Sequence, residues 1–285
     1  MKKMLLLLIL TATTAMGQYP IAYPLSYPLP MPHAMPGGSE VSPFWGLDCD
    51  GGDYTESAGL IAGLSNKTTG SVGFWCQVPA DNNQRTMIGI SVTSGDYTIL
   101  GFQFVSKKLF VALALDGAAM AGWRWQATDA LVSGDWHHFV IAHNATEPTF
   151  FMDGAALPGT FLISGDKTMW WKTLINDATN TSDITYIGAF NLGYGGLDFF
   201  DKAITQVGFS SSVLTAVDAA RIMVSNTAPD YDIASYRMTP GSGQTLADDS
   251  GNGYTHQLGS TSGVDANDPT WTESEWNLLS QTGPE

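Results

Sequence analysis

Three histidines within seven residues, in Trp136-His137-His138-Phe139-Val140-Ile141-Ala142-His143, are the raw material of a metal site or a general base. Strand geometry argues against both. Period-two alternation sends His137 and His138 to opposite faces, and His143 shares a face with His137 only at a distance of roughly 20 Å. One strand cannot bring the three rings onto one ion, so they are predicted to be scaffold. Carboxylates are the next source of chemistry. A retaining glycosidase needs two of them about 5 Å apart. Of the glutamates, only Glu273 and Glu275 are spaced for one strand face, and they sit in the terminal stretch without a third member.

Oxygen ligands concentrate in two short loops. Asp48, Asp50 and Asp53 fall in "DCDGGDY", and Asp248, Asp249 and Asn252 fall in "DDSGNG". A hard cation such as Ca2+ takes about six to eight oxygens, so these six residues are candidate calcium ligands if the tail folds back near the beginning. The competing reading is turn-forming Asp and Asn bonded to their own backbone. No other cofactor is implied.

Aromatic faces are candidates for stacking on sugar rings. Trp123 and Trp125 share a strand face, with Arg124 between them as the one basic residue set among aromatics. Trp170 and Trp171 are adjacent in the loop 161–183, and Tyr194 lies in "NLGYGG". Adjacent indoles exposed on a loop mark a binding surface; the alternative is a loop pinned to the core by one ring. Cys49 and Cys76 are the only cysteines. They are either a disulfide or two small buried hydrophobes.

Short strands must position these groups. Alternating apolar runs recur at 71–80, 85–92, 97–105, 108–117, 120–127, 136–143, 149–154, 184–190 and 203–210. Ser94-Gly95-Asp96, Asp116-Gly117, Ser133-Gly134-Asp135 and Asp153-Gly154 punctuate the gaps. This rhythm predicts an all-β sandwich. Asp153-Gly154 is a tight-hairpin dipeptide. One short helix is predicted near 215–224, with Thr215 as N-cap and Asp218 three residues on.

The N-terminus has Lys2 and Lys3, an apolar run from Met4 to Leu10, and small residues to Gly17. That is the layout of a signal peptide over 1–17, predicting a secreted or cell-surface protein. Residues 18–42 form a Pro/Tyr-rich extended linker or strap, with six prolines between 18 and 38. The apolar run is too short to span a bilayer, and no transmembrane segment is predicted later. Net charge is −15, which argues against a nucleic-acid partner. Asn66, Asn144 and Asn180 sit in Asn-x-Ser/Thr frames.

Five patches together resemble the laminin-G-like or concanavalin-A-like jelly roll. They are "LDCDGGDYTE" (47–56), "TGSVGFWCQV" (69–78), "GDWHHFVIAH" with "FFMDG" (134–143 and 150–154), "YIGAF" (186–190) and "FFDKAITQVGFSSSVLT" (199–215). They cover residues 43 to 225 in the family's order. Cys49 stands where the family has an aromatic, Thr205-Gln206 where it often has Asp-Glu, and Lys202 where glycine is common. The tail 232–271 resembles the segment that often opens such domains, placed last here. The resemblance implies a two-sheet antiparallel jelly-roll sandwich over 43–271, with 232–271 completing the same body and 272–285 a tail. It also implies a noncatalytic carbohydrate-binding or adhesion module whose partner is a glycan or a cell-surface or matrix protein. A structural surface or virion appendage protein is the alternative. A glycoside hydrolase or polysaccharide lyase with an atypical site is third, because the Glu-x-Asp-x-x-Glu strand common in hydrolases of this fold is missing. Oligomeric state is left open.

Overall fold

The computed structural model describes residues 44–91, 99–115, 118–176, 183–191, 197–224, 231–238 and 242–274. The leader, the Pro/Tyr-rich segment, Asn180 and Tyr194 lie outside the described residues.

Strands come first in chain order as β1 (Phe44–Asp48), β2 (Thr55–Ser57), β3 (Gly70–Gln77), β4 (Arg85–Ser91), β5 (Ile99–Val105), β6 (Lys108–Leu115), β7 (Ala118–Ala127), β8 (Trp136–His143), β9 (Pro148–Met152), β10 (Ala155–Ala156) and β11 (Gly159–Ser164). They continue as β12 (Ile184–Ile187), β13 (Ala189–Asn191), β14 (Leu197–Phe199), β15 (Ala203–Ser210), β16 (Ala234–Tyr236), β17 (Thr245–Leu246), β18 (His256–Leu258) and β19 (Thr270–Ser274). The helices are α1 (Gly59–Leu64), α2 (Trp171–Ile175) and α3 (Ala216–Val224).

Two antiparallel sheets face each other, as the jelly-roll reading predicts. One has eight strands, in the order β10-β9-β8-β3-β15-β1-β19 with β16 also on β15. The other has nine, in the order β11-β7-β6-β5-β4-β12-β2-β18-β17. Alternation decides which side chains enter the space between them. In β6, Leu109, Val111, Leu113 and Leu115 enter the core, while Phe110, Ala112 and Ala114 point the other way. Aromatic edges lock the sheets together: Phe74 meets Phe102 at 6.1 Å and Phe104 meets Phe139 at 6.0 Å, both edge-on. Such pairs contribute about 0.5–1.5 kcal/mol each beyond their buried area.

Tight turns set the register. At Ser106-Lys107 and at Asp153-Gly154, both central residues have positive φ, the hairpin geometry that follows the strands' twist. Asp153 does a second job. Its Oδ2 lies 2.7 Å from His137 Nδ1, and its Oδ1 accepts the His138 N–H at 2.9 Å. Gly154 is needed for space as well as for φ, since a Cβ there would stand 2.7 Å from Ala220 of α3. That helix carries the predicted box: the Asp218 N–H donates to Thr215 Oγ1, and Thr215 N–H donates back to Asp218 Oδ2. Two further helical turns, α1 and α2, were not predicted.

The C-terminal strands finish both sheets. β19 lies along β1, with Leu47 opposite Trp271, and β18 lies along β2, with Glu56 opposite Gln257. His256 of β18 is fully buried, an unusual place for a polar ring in a short tail strand. Its neighbours explain this. Thr185 donates its hydroxyl proton to the Ser57 carbonyl at 2.9 Å, and its oxygen lies 3.4 Å from His256 Nε2. His256 Nδ1 lies 2.9 Å from Thr55 Oγ1. The two threonines hold the ring, and burial pushes its pKa down to about 3.

Candidate functional site

Several residues with predicted roles turn out to be packing. Trp123 and Trp125 do share a face, but it is the core face, opposite Arg124. Trp125 stacks on Phe150 at 3.8 Å, and the Trp123 Nε1–H donates to the Met169 carbonyl at 3.2 Å. Trp170 and Trp171 are 1% and 0% exposed, not displayed on a loop. Trp170 lies between His143, stacked at 4.9 Å, and Trp123, stacked at 6.4 Å. Trp171 opens α2 and covers Gly70, where a Cβ would lie 2.4 Å from the indole. The pair plugs one end of the sandwich, because an aromatic segment too long for a turn gains more from the core than from water. The three histidines stay apart. His137 is held by Asp153, His138 packs on Trp75 at 5.1 Å with its pKa pushed down to about 4 by burial, and His143 bonds the Lys167 carbonyl.

Cys49 and Cys76 are both buried and free, so the bridge does not form. Register explains it: Ile204 of β15 sits between Leu47 of β1 and Cys76 of β3. Two strand spacings, about 9–10 Å, exceed the span of a disulfide.

The six oxygen ligands form two separate loops. Tail and beginning do pair, but Asp53 precedes β2 at the end where Gly259 bonds Tyr54, while the 248–252 loop lies at the opposite end, beside Gly59 and Tyr254. Asp248 is saturated. Its carboxylate accepts from the Ser235, Ser250 and Tyr254 N–H groups and the Ser250 hydroxyl, bonds that outweigh burial and hold its pKa below the usual range. Asp249 pairs with Arg237, and the Asn252 amide donates to two carbonyls. In the other loop, Asp50 N–H donates to Asp53 Oδ2 and Gly52 N–H to Asp50 Oδ1, while Asp48 faces solvent. Burial, with the neighbouring Asp50 charge, pushes Asp53 up to about 6. Among the described residues, no group of three or more His, Cys, Asp or Glu is placed to hold a metal ion.

Chemistry that is free to act lies instead on the outer face of the nine-stranded sheet. Register places one row of side chains across it: Arg124, Ala112, Gly101, Gly89, Tyr186, Glu56, Gln257 and Thr245. A second row, one pleat along, runs Gln126, Phe110, Gln103 and Thr86. The β13–β14 hairpin crosses this face at β4. A Cβ on Gly89 would meet the Phe190 Cβ at 2.2 Å, so only glycine lets the two backbones touch. The hairpin is tied down by Asp198, which accepts from Gln84 Nε2 at 2.6 Å and Thr86 Oγ1 at 3.2 Å. It therefore covers the middle of the face and leaves a recess beyond β12.

The recess beyond β12 encloses about 360 Å³ and is lined by Glu56, Ser57, Ala58, Gly59, Ile184, Thr245, Gly253, Thr255 and Gln257. One carboxylate, one amide and several hydroxyls converge on it, beside the apolar face of Ile184. Desolvation raises the Glu56 pKa. The sequence reading held Glu56 only as the last residue of the patch 47–56 and missed Thr245, Thr255 and Gln257. The alternation of His256, Gln257 and Leu258 was the available signal, but its strand partner lies 201 residues earlier.

No protein-family model matches the sequence, and no curated protein matches it. Solved structures match the fold at low identity. One is a Bacteroides ovatus protein of proposed carbohydrate binding, with a TM-score of 0.55 and 13% identity over 83% of this chain; the match spans 61% of that protein. Another is the CBM40 module of Ruminococcus gnavus IT-sialidase bound to α2,3-sialyllactose, with a TM-score of 0.51 and 10% identity over 62% of this chain and 96% of its own. A third is a leech intramolecular trans-sialidase, with a TM-score of 0.50 and 12% identity over 63% of this chain and 27% of its own. At these identities the likeness is one of fold.

Proposed function

We propose that the chain is a noncatalytic carbohydrate-binding module of laminin-G-like type, exported to the cell surface or beyond, that binds a glycan on the outer face of its nine-stranded sheet. The recess at Glu56 and Gln257 carries the reading. Its size lies within the range of small-ligand sites, and its lining of hydroxyls, amide and carboxylate beside one apolar face suits a sugar's alternating O–H and C–H surfaces. The fold shared with a protein of proposed carbohydrate binding and with a sialyllactose-bound module supports it. Glu56 is the one carboxylate lining the recess, whereas glycoside hydrolysis by the usual route takes two.

Calorimetric titration against a panel of soluble oligosaccharides, with and without chelator, tests the proposal. Gln257→Ala and Glu56→Gln should each weaken binding by tenfold or more while leaving the thermal midpoint in place. Retained affinity in both variants would remove this recess as the site, and loss on chelation alone would return calcium to the account.

A further inference from the structure

The recess beyond β12 carries a single charge and a one-sided set of hydrogen-bonding groups. Glu56 is the only ionisable residue that lines it. Its carboxylate is half-buried, desolvation moves its pKa up, and it joins no ion pair among the described residues. Apart from Lys2 and Lys3, every lysine and arginine of the chain is described, and none lines the recess. The same charge reaches Tyr186, its cross-strand neighbour on β12. Burial first, and then the Glu56 carboxylate, push that phenol up to about 12.

Gln257 stands opposite Glu56 on the other side, on β18. Its Nε2 donates to the Gln244 carbonyl at 2.7 Å and to the Leu258 carbonyl at 3.2 Å. Both N–H bonds are thereby used, and the two carbonyls fix the orientation of the amide, because the flipped form would set oxygen against oxygen. Gln257 therefore meets a ligand only through Oε1, an acceptor. Opposed positions on neighbouring strands have Cβ atoms about 4.5–5.5 Å apart, so one small donor group seated between the two side chains reaches both acceptors. A sugar hydroxyl has one proton to give, whereas an ammonium has three and a positive charge. An acidic sugar would meet repulsion from Glu56 with no cation to offset it.

We infer that the recess selects a sugar bearing a free, protonated amine, held between the Glu56 carboxylate and Gln257 Oε1. The preferred ligand is then an oligosaccharide of unacetylated amino sugars. This inference rests on the glycan-binding reading and narrows it to a ligand class, so it fails alone when other sugars bind.

The experiment titrates the full chain calorimetrically with three tetrasaccharides of one backbone that differ only in a single substituent on each ring: hydroxyl, free amine or acetamide. At about pH 6 the amine carries its proton. The amine form should bind at least tenfold more tightly than either of the others, and an oligouronide should bind least. Glu56→Gln, which keeps shape and removes one charge, should lower the amine form to the level of the hydroxyl form. Its thermal midpoint should stay in place, since no partner is lost. Equal affinity across the series in the parent protein, or preference for the hydroxyl, acetamide or uronide form, overturns the inference and leaves the module reading standing. A preference for the amine that survives in Glu56→Gln also overturns it, in favour of general attraction to an acidic surface. Binding of some other glycan with none to the amine form overturns the inference alone, and absence of binding to every sugar tried overturns both.

Discussion

Acid should unfold this protein through His256. Its ring is neutral and wholly buried, with a folded pKa of about 3 against roughly 6.5 in an unfolded chain. Between those values the unfolded state binds the extra proton. The stability is therefore present above pH 6.5 and lost as pH falls toward 3. At pH 4.5, two units below the unfolded value, the loss from this residue is about 2–3 kcal/mol. His138, with its pKa near 4, loses a similar amount by the same logic. Asp53 works in the opposite sense. Its folded pKa of about 6 means the native state takes up the proton first, recovering about 2 kcal/mol over the same range. From these three groups together the loss between pH 7 and 4.5 is about 3 kcal/mol. His256→Asn keeps an acceptor for Thr55 but cannot titrate. The variant should be less stable than the parent at pH 7, yet fall by about 2–3 kcal/mol less than the parent on acidification. Urea unfolding followed by tryptophan fluorescence at the two pH values measures both. The difference between the two proteins cancels the titration of surface carboxylates. A parent and variant with parallel pH dependence would refute the buried-histidine argument.

Three other outcomes follow from packing and register. Trp171→Ala should cost about 3–5 kcal/mol in chemical denaturation, because a fully buried ring is lost from the aromatic plug; near-neutral behaviour would mean the indole is on the surface. Native protein should show no thiol reactive to Ellman's reagent on the minute timescale, and two in guanidinium without reductant, since Cys49 and Cys76 are free, buried and pushed to high pKa by desolvation. Asp153→Ala should lower stability by about 2 kcal/mol, removing the acceptor of His137 and of the His138 amide, visible as an earlier thermal transition.

Much of the sandwich was legible because strands advertise themselves by alternation and hairpins by their turn residues. Asp153-Gly154 and the Thr215–Asp218 pair behave as their chemistry requires. What alternation cannot say is which face of a strand is the inner one. Trp123, Arg124 and Trp125 were correctly divided between two faces, but indoles suit either a core or a sugar, and only the neighbouring Phe150 and Trp170 decide it. The burial of His256 was hidden for a related reason: a buried imidazole needs polar neighbours to complete it, and Thr55 and Thr185 are far away in sequence. The recess was invisible because Glu56, Ile184 and Gln257 belong to three strands joined by long connections.

The pairing of β1 with β19 places Phe44 opposite Ser274. Start and finish of the sandwich are thus neighbours across one ladder, and the backbone traces a nearly closed circuit with a single cut. A rearranged gene that joins 274 to 44 through a few glycines and begins at 232 should encode the same body. Growth on the ribosome would differ: in the native order β1 and β2 emerge early and wait, edges bare, for partners made almost last.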